Sequence, residues 1–185
     1  MNNIKKEDFE ILFNKAENLR NSKNFLDSIK ILKKILINKP KFVLGLNRIA
    51  YCYYQLNRLD LAEKYYLLCQ KNGPADIQVL NNLGLIYFKK KYLDKALLVL
   101  QKSLEIKIDQ LNVVEKIGYC MIELDLYSEA NIFCKKFLKK YPTNDFLISF
   151  YEKSLFKLGK NIEGLKFLQQ RTGFIQFNDD KVQII

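Results

Sequence analysis

Residues 43–76 read VLGLNRIAYCYYQLNRLDLAEKYYLLCQKNGPAD, and their spacing recurs along the chain at intervals of 34 residues. Pro74 lies 34 residues after Pro40, and Pro142 lies two further periods on, with Ile108 in the slot between. Ala50 belongs to the series Ala16, Ala50, Gly84, Gly118 at the same interval, and Ala62 to the series Ala62, Ala96, Ala130. Self-similarity at a fixed period of this length is the mark of a helical solenoid built from helix-turn-helix units. Inside the stretch, Leu46, Ile49, Ala50 and Tyr53 fall at i, i+3, i+4 and i+7, and Ala62, Tyr66 and Cys69 continue on a second helix. That is the apolar stripe of a packed helix.

Working outward, the period predicts an N-terminal extension over 1–8 and four units over 9–42, 43–76, 77–110 and 111–144. Each is an antiparallel pair, helix A then helix B. The first carries Leu12, Ala16 and Leu19, then Ile29, Leu32, Ile35 and Leu36. The third carries Leu80, Leu83, Gly84 and Tyr87, then Ala96, Leu100 and Ser103, and the fourth Val114, Ile117, Gly118 and Met121, then Ala130, Cys134 and Phe137. Small residues in mid-helix let the partner helix approach closely, so Ala62→Leu or Ala96→Leu is predicted to overpack the pair and cost about 1–3 kcal/mol. Asp60, Asp94 and Ser128 read as N-caps of the B helices, with Asp60 and Glu63 at capping-box spacing. The prolines sit just past helix B, where they stop it.

This pattern resembles the tetratricopeptide repeat (TPR) family. Its combination of a small residue, an aromatic three on, then Ala-x-x-x-aromatic and a closing proline is met best by Ala50, Tyr53, Ala62, Tyr66 and Pro74, and next by Gly84, Tyr87 and Ala96. The Trp that often opens the family's repeat is replaced by Leu12, Leu46, Leu80 and Val114. The resemblance implies an all-α, right-handed superhelix. A fifth, degenerate pair is expected over 145–171 as a cap, since a terminal repeat must turn a face to water. The tail 172–185 reads as strand, turn, strand: a short β-hairpin. It is expected to cap the last repeat, to add to a sheet edge of a partner or second copy, or to open a further domain.

Composition bounds the rest. The formal charge is +11, carried mostly by Lys beside abundant Asn and Ile, a mix that a coding bias toward A and T also produces. There is no histidine, and the four cysteines (Cys52, Cys69, Cys120, Cys134) form no C-x-x-C pair, so neither a metal nor a cofactor is expected. Free cysteines at core-facing positions behave as small apolar residues and imply a reducing compartment. MNNIKKEDFEILFNK has no apolar leader core, and no run approaches the roughly 18 apolar residues of a membrane span, so a cytoplasmic protein with no membrane partner is expected. No Gly-rich phosphate loop is present, and intrinsic catalysis is not expected.

The family resemblance places binding on the A helices, which line its concave groove. One A-helix position outside the apolar stripe recurs as Asn14, Arg48, Asn82 and Lys116, a ladder alternating amide and cation. Beside it stand Asn47, Tyr51, Gln55, Asn81, Lys89, Glu115 and Tyr119. Amides pair with an extended backbone of any sequence, cations take a carboxylate, and tyrosines offer stiff amphipathic area. The expected partner-binding residues are therefore Asn47, Arg48, Tyr51, Asn81, Asn82, Lys89, Lys116 and Tyr119, and the expected partner is a protein or an acidic, extended peptide. The match to the family's carboxylate clamp is partial. Asn82 fits it and Lys116 keeps a charge, but Asn47 and Asn112 stand where it wants Lys, and Tyr51 where it wants Asn.

Two alternatives stay open. Lys33-Lys34, Lys89-Lys90-Lys91, Lys135-Lys136 and Lys139-Lys140 lie near helix C-termini, where the dipole favours cations by about 0.3–1 kcal/mol each. With the aromatics they also suit RNA. Alternatively the chain is the adaptor part of a longer or partnered enzyme, a transferase or oxygenase.

Overall fold

The computed structural model describes residues 6–172, 175–178 and 181–184. Residues 1–5 of the expected N-terminal extension and residues 179–180 of the expected hairpin turn lie outside the described residues. The chain divides into two compact units, Met1–Lys107 and Ile108–Ile185.

The first unit holds α1 (Lys6–Asn21), α2 (Phe25–Asn38), α3 (Val43–Gln55), α4 (Leu59–Asn72), α5 (Ile77–Lys89) and α6 (Leu93–Ile106), each packed on the next. The second holds α7 (Leu111–Glu123), α8 (Tyr127–Leu138), α9 (Asp145–Lys157) and α10 (Asn161–Thr172). There α8 packs on α7 and α9, and α9 packs on α10. β1 (Ile175–Asn178) pairs antiparallel with β2 (Lys181–Ile184), Ile175 opposite Ile184, and lies against α10.

The A-to-B turns explain the period. Lys23, Asn57, Lys91, Asp125 and Gly159, each 34 residues from the last, adopt φ of 64°, 56°, 62°, 57° and 72°. At each, two backbone bonds close the end of helix A. In the third pair the Lys91 N–H donates to the Phe88 carbonyl at 3.1 Å and the Tyr92 N–H to the Tyr87 carbonyl at 2.9 Å. The left-handed residue lets the chain reverse while satisfying carbonyls that the helix end would leave without partners. Only Gly159 is glycine; Asn57 and Asp125 are of the types that next most often adopt this conformation, and Lys23 and Lys91 carry no such sign.

The expected B-helix caps are corrected. The N-cap positions of α4, α6 and α8 are Arg58, Tyr92 and Leu126, and none of their side chains makes a capping bond. Asp60 and Asp94 lie in the first turn, where an anion favours the positive end of the helix. The reason is the turn itself, which hands helix A directly to helix B. Asp60 and Glu63 each accept instead from Lys90 Nζ at 2.7 Å. Side-chain caps occur on A helices: Asp76 accepts from the Val79 N–H and Asn144 from the Leu147 N–H, each at 2.9 Å.

The small residues lie where the helices meet. Ala16, Ala50, Ala62, Ala96 and Ala130 are fully buried. In the first repeat the B-helix position is Ser28, also buried, whose hydroxyl donates to the Ala16 carbonyl at 2.8 Å. All four cysteines are buried and none forms a disulfide, and burial pushes the Cys69 and Cys134 thiols up to about 12.

Candidate partner-binding face

Each A helix buries one side against its B helix and leaves one stripe uncovered. On α3, burial takes Leu46, Asn47, Ile49, Ala50, Cys52 and Tyr53, and Leu44, Arg48, Tyr51 and Gln55 stay at least partly exposed. Those four are spaced i, i+4, i+7 and i+11, one line along a helix. The same positions give Glu10, Asn14, Glu17 and Asn21 on α1, and Gln78, Asn82, Leu85 and Lys89 on α5. On α7 they give Asn112, Lys116, Tyr119 and Glu123, and on α9 Phe146, Phe150, Lys153 and Lys157.

Arg48, Tyr51, Asn82 and Lys89 therefore share the uncovered stripe in the first unit, and Lys116 and Tyr119 share it in the second. Asn47 departs from expectation: it is 9% exposed and adds little to a ligand-facing surface. One helical step of about 100° carries it from the stripe into the packing. Asn81, at the same repeat position, accepts from the Ser103 hydroxyl at 2.6 Å on α6. Glu115, again one period on, accepts from Asn144 Nδ2 at 2.7 Å.

Several stripe residues make contacts that sequence reasoning missed. Arg48 Nε donates to Glu17 Oε2 at 3.1 Å, joining α3 to α1. Arg20 grips the same carboxylate with Nε at 3.1 Å and Nη2 at 3.2 Å, and its guanidinium lies 5.6 Å from the Tyr51 ring centre. Asn82 Nδ2 donates to the buried Tyr66 hydroxyl at 2.9 Å, which fixes the amide's orientation. Lys89 Nζ stands 4.4 Å over the Tyr54 ring, a cation–π contact between α5 and α3. In the second unit Lys116 Nζ donates to the Asn112 carbonyl at 3.3 Å, and Tyr119 meets Phe150 edge to face at 6.4 Å. Glu17 had a legible signal: it stands one period before Tyr51, on the same stripe.

Charge is divided unevenly. Residues 1–107 hold 20 Lys and Arg against 10 Asp and Glu, and residues 108–185 hold 11 against 10. Nearly all of the basic excess thus belongs to the first unit. Among the described residues, no group of three or more His, Cys, Asp or Glu stands ready to hold a metal ion. No described helix is long and apolar enough to cross a membrane.

Tetratricopeptide repeat profiles match residues 45–75, 77–107 and 115–144. Among solved structures, MamA AMB-1 is similar with a TM-score of 0.78 at 17% identity, covering 91% of this chain and 92% of that one. YrrB, described as a TPR protein with an unusual peptide-binding site, gives a TM-score of 0.75 at 14% identity over 88% of this chain and 85% of its own. Among curated proteins, anaphase-promoting complex subunit CDC16 of Saccharomyces cerevisiae is 41% identical over 70 residues, which is 38% of this chain and 8% of CDC16. Protein O-mannosyl-transferase Tmtc3 of Drosophila melanogaster is 35% identical over 91 residues, 49% of this chain and 10% of its own length. The chain thus spans about a tenth or less of these two relatives. Repeat profiles, period and fold agree: the chain belongs to the tetratricopeptide repeat family.

Proposed function

We propose that this protein is a noncatalytic interaction module that holds an extended peptide segment of a partner protein on its A-helix face. One observation carries the reading. The same four positions of every A helix are left uncovered, and in the first unit they present Arg48, Tyr51, Asn82 and Lys89 above a closed apolar core. The amides and cations meet a peptide backbone and its acidic side chains, and the tyrosines supply rigid contact area. Lys116 and Tyr119 give the second unit a stretch of the same chemistry. The basic excess of the first unit favours an acidic partner. A peptide-binding site in YrrB and the place of CDC16 in a multisubunit complex support a role in holding partners. The similarity to Tmtc3 favours, as a finer version, an adaptor stretch within a larger enzyme system. Four buried cysteines outside any disulfide support a reducing compartment, the cytoplasm.

The test is capture of partners from native lysate at moderate salt, wild type beside Arg48→Glu with Lys116→Glu, each with and without nuclease. Loss of a captured protein from the folded double variant, indifferent to nuclease, is the expected result. Capture unchanged by the substitutions refutes the A-helix face as the site. Capture abolished by nuclease moves the assignment to RNA, whose binding would fall steeply with salt.

A further inference from the structure

We propose that Glu17 is an internal stand-in for a ligand carboxylate, so that the α1–α3 face selects peptides placing an Asp or Glu beside an aromatic residue. The inference rests on the reading of the first unit's A-helix face as a peptide site and names what that site takes.

Two guanidinium groups, from α1 and α3, converge on one carboxylate. Arg20 holds Glu17 side-on, with Nε on Oε1 and Nη2 on Oε2, the fork geometry that arginine offers a carboxylate. Arg48 gives Glu17 a single bond, from Nε to Oε2 at 3.1 Å. Among the described contacts, its two Nη groups have no protein acceptor, and they form the end-on fork that a second carboxylate takes bidentately. The cluster carries two positive charges against one negative. It is not sealed in the core: the side chains of Arg20, Glu17 and Arg48 are 21%, 21% and 26% exposed.

The wall beside the charges is aromatic. Tyr51 lies under the Arg20 guanidinium and meets Phe25 edge to face at 6.4 Å. A ligand acid on Arg48 therefore brings its neighbouring side chain onto Tyr51, where an aromatic ring packs best. These residues also differ between repeats. The positions of Glu17 and Arg20 are Tyr51 and Tyr54 one repeat on, and that of Arg48 is Asn82. Only the junction of the first two repeats assembles two arginines and an acid.

Glu17 offsets the positive charge that a bound acidic side chain meets on these guanidinium groups and repels that second carboxylate. Removing the Glu17 charge leaves both arginines to the ligand and raises the local charge from +1 to +2. A pair that only tied α1 to α3 behaves oppositely: its loss loosens the fold and improves nothing.

The experiment measures fluorescence anisotropy with three labelled peptides: four repeats of Glu-Tyr-Gly, of Gln-Tyr-Gly, and of Glu-Ser-Gly. Oligouridylate is the nucleic-acid control, and thermal melting confirms folding of each variant. The full chain is used as wild type, Glu17→Gln, Glu17→Asp, Arg48→Gln and Tyr51→Ala. The expected result is that wild type prefers Glu-Tyr-Gly over both other peptides. Glu17→Gln then tightens Glu-Tyr-Gly about three- to tenfold with no comparable change for Gln-Tyr-Gly, and Glu17→Asp falls between it and wild type. Arg48→Gln weakens Glu-Tyr-Gly about tenfold. If Arg48→Gln and Tyr51→Ala weaken binding but Glu17→Gln does not strengthen it, the stand-in role is overturned and the peptide face survives. If no substitution changes any affinity, or no peptide is bound, both readings fall. An equal gain for oligouridylate in Glu17→Gln overturns the assignment to a peptide acid.

Discussion

Replacing Gly84 by alanine tests whether the close approach of α5 to α6 sets the repeat's packing. A Cβ at position 84 stands 2.3 Å from Leu100 Cδ2 and 2.6 Å from Leu100 Cγ, inside any ordinary contact. Leu100 is 1% exposed, and the close-packed neighbours of a buried leucine give it little room to move. Two effects oppose each other. Alanine is favoured over glycine in a helix interior by about 0.8–1.0 kcal/mol. Overpacking a closed site costs about 1–3 kcal/mol. The clash wins by about 1 kcal/mol, and Gly84→Ala lowers the melting temperature by about 2–4 °C. Leu100→Ala alone opens a cavity and costs about 2–5 kcal/mol. In that background the methyl group added by Gly84→Ala enters free space, so the same substitution becomes stabilising. A double-mutant cycle in urea, followed by far-UV circular dichroism, is therefore expected to show a coupling of about 1–3 kcal/mol. If Gly84→Ala stabilises the otherwise unchanged protein, or acts alike in both backgrounds, the steric reasoning is refuted.

Other outcomes follow from the same structure. At the A-to-B turns, Gly159→Ala loses about 1 kcal/mol and Lys91→Gly gains about 0.5–1 kcal/mol in urea melts. The left-handed φ, which favours glycine, sets the direction at both positions, and at 159 no atom lies within 4 Å of a Cβ to add to it. Burial holds the Cys69 and Cys134 thiols near 12, so they react with Ellman's reagent at pH 8 no faster than the protein unfolds. Full labelling of the native protein within minutes contradicts their placement. Hydrogen bonds to Asp60 and Glu63 raise the Lys90 ammonium above its ordinary range. Its stabilising contribution is then complete below the unfolded lysine value of about 10.4 and fades as pH rises through the higher folded value. Lys90→Met accordingly melts lower than wild type at pH 8, with the gap closing at strongly alkaline pH. A gap independent of pH argues for lost packing of the lysine stem.

The helix pairs and their small contact residues were legible in the sequence because both are local and repeated. A period of 34 fixes where apolar residues recur, and Ala62, Ala96 and Ala130 lie fully buried, where a small side chain lets the paired helices approach closely. The stripe position of Arg48, Asn82 and Lys116 was legible for the same reason. Asn47 was misjudged because its side depends on one helical step, and amide chemistry looks alike on either side of it. The turn at Gly159 was legible from its glycine, and the other four escaped because Lys23, Asn57, Lys91 and Asp125 hold the left-handed position, where glycine is the plainest sign and Asn or Asp a weaker one. The expected cap at Asp60 escaped because its partner, Lys90, lies 30 residues away and is brought near only by the packing of α5 against α4. Glu17 and Arg48, 31 residues apart, meet in the same way. The sequence by itself therefore determined the repeat, the helices and the residues that close the core, since hydrophobic periodicity acts within each helix. Tertiary structure decided which polar side chains pair and which keep a free face, since those partners come from neighbouring helices and no local pattern encodes them.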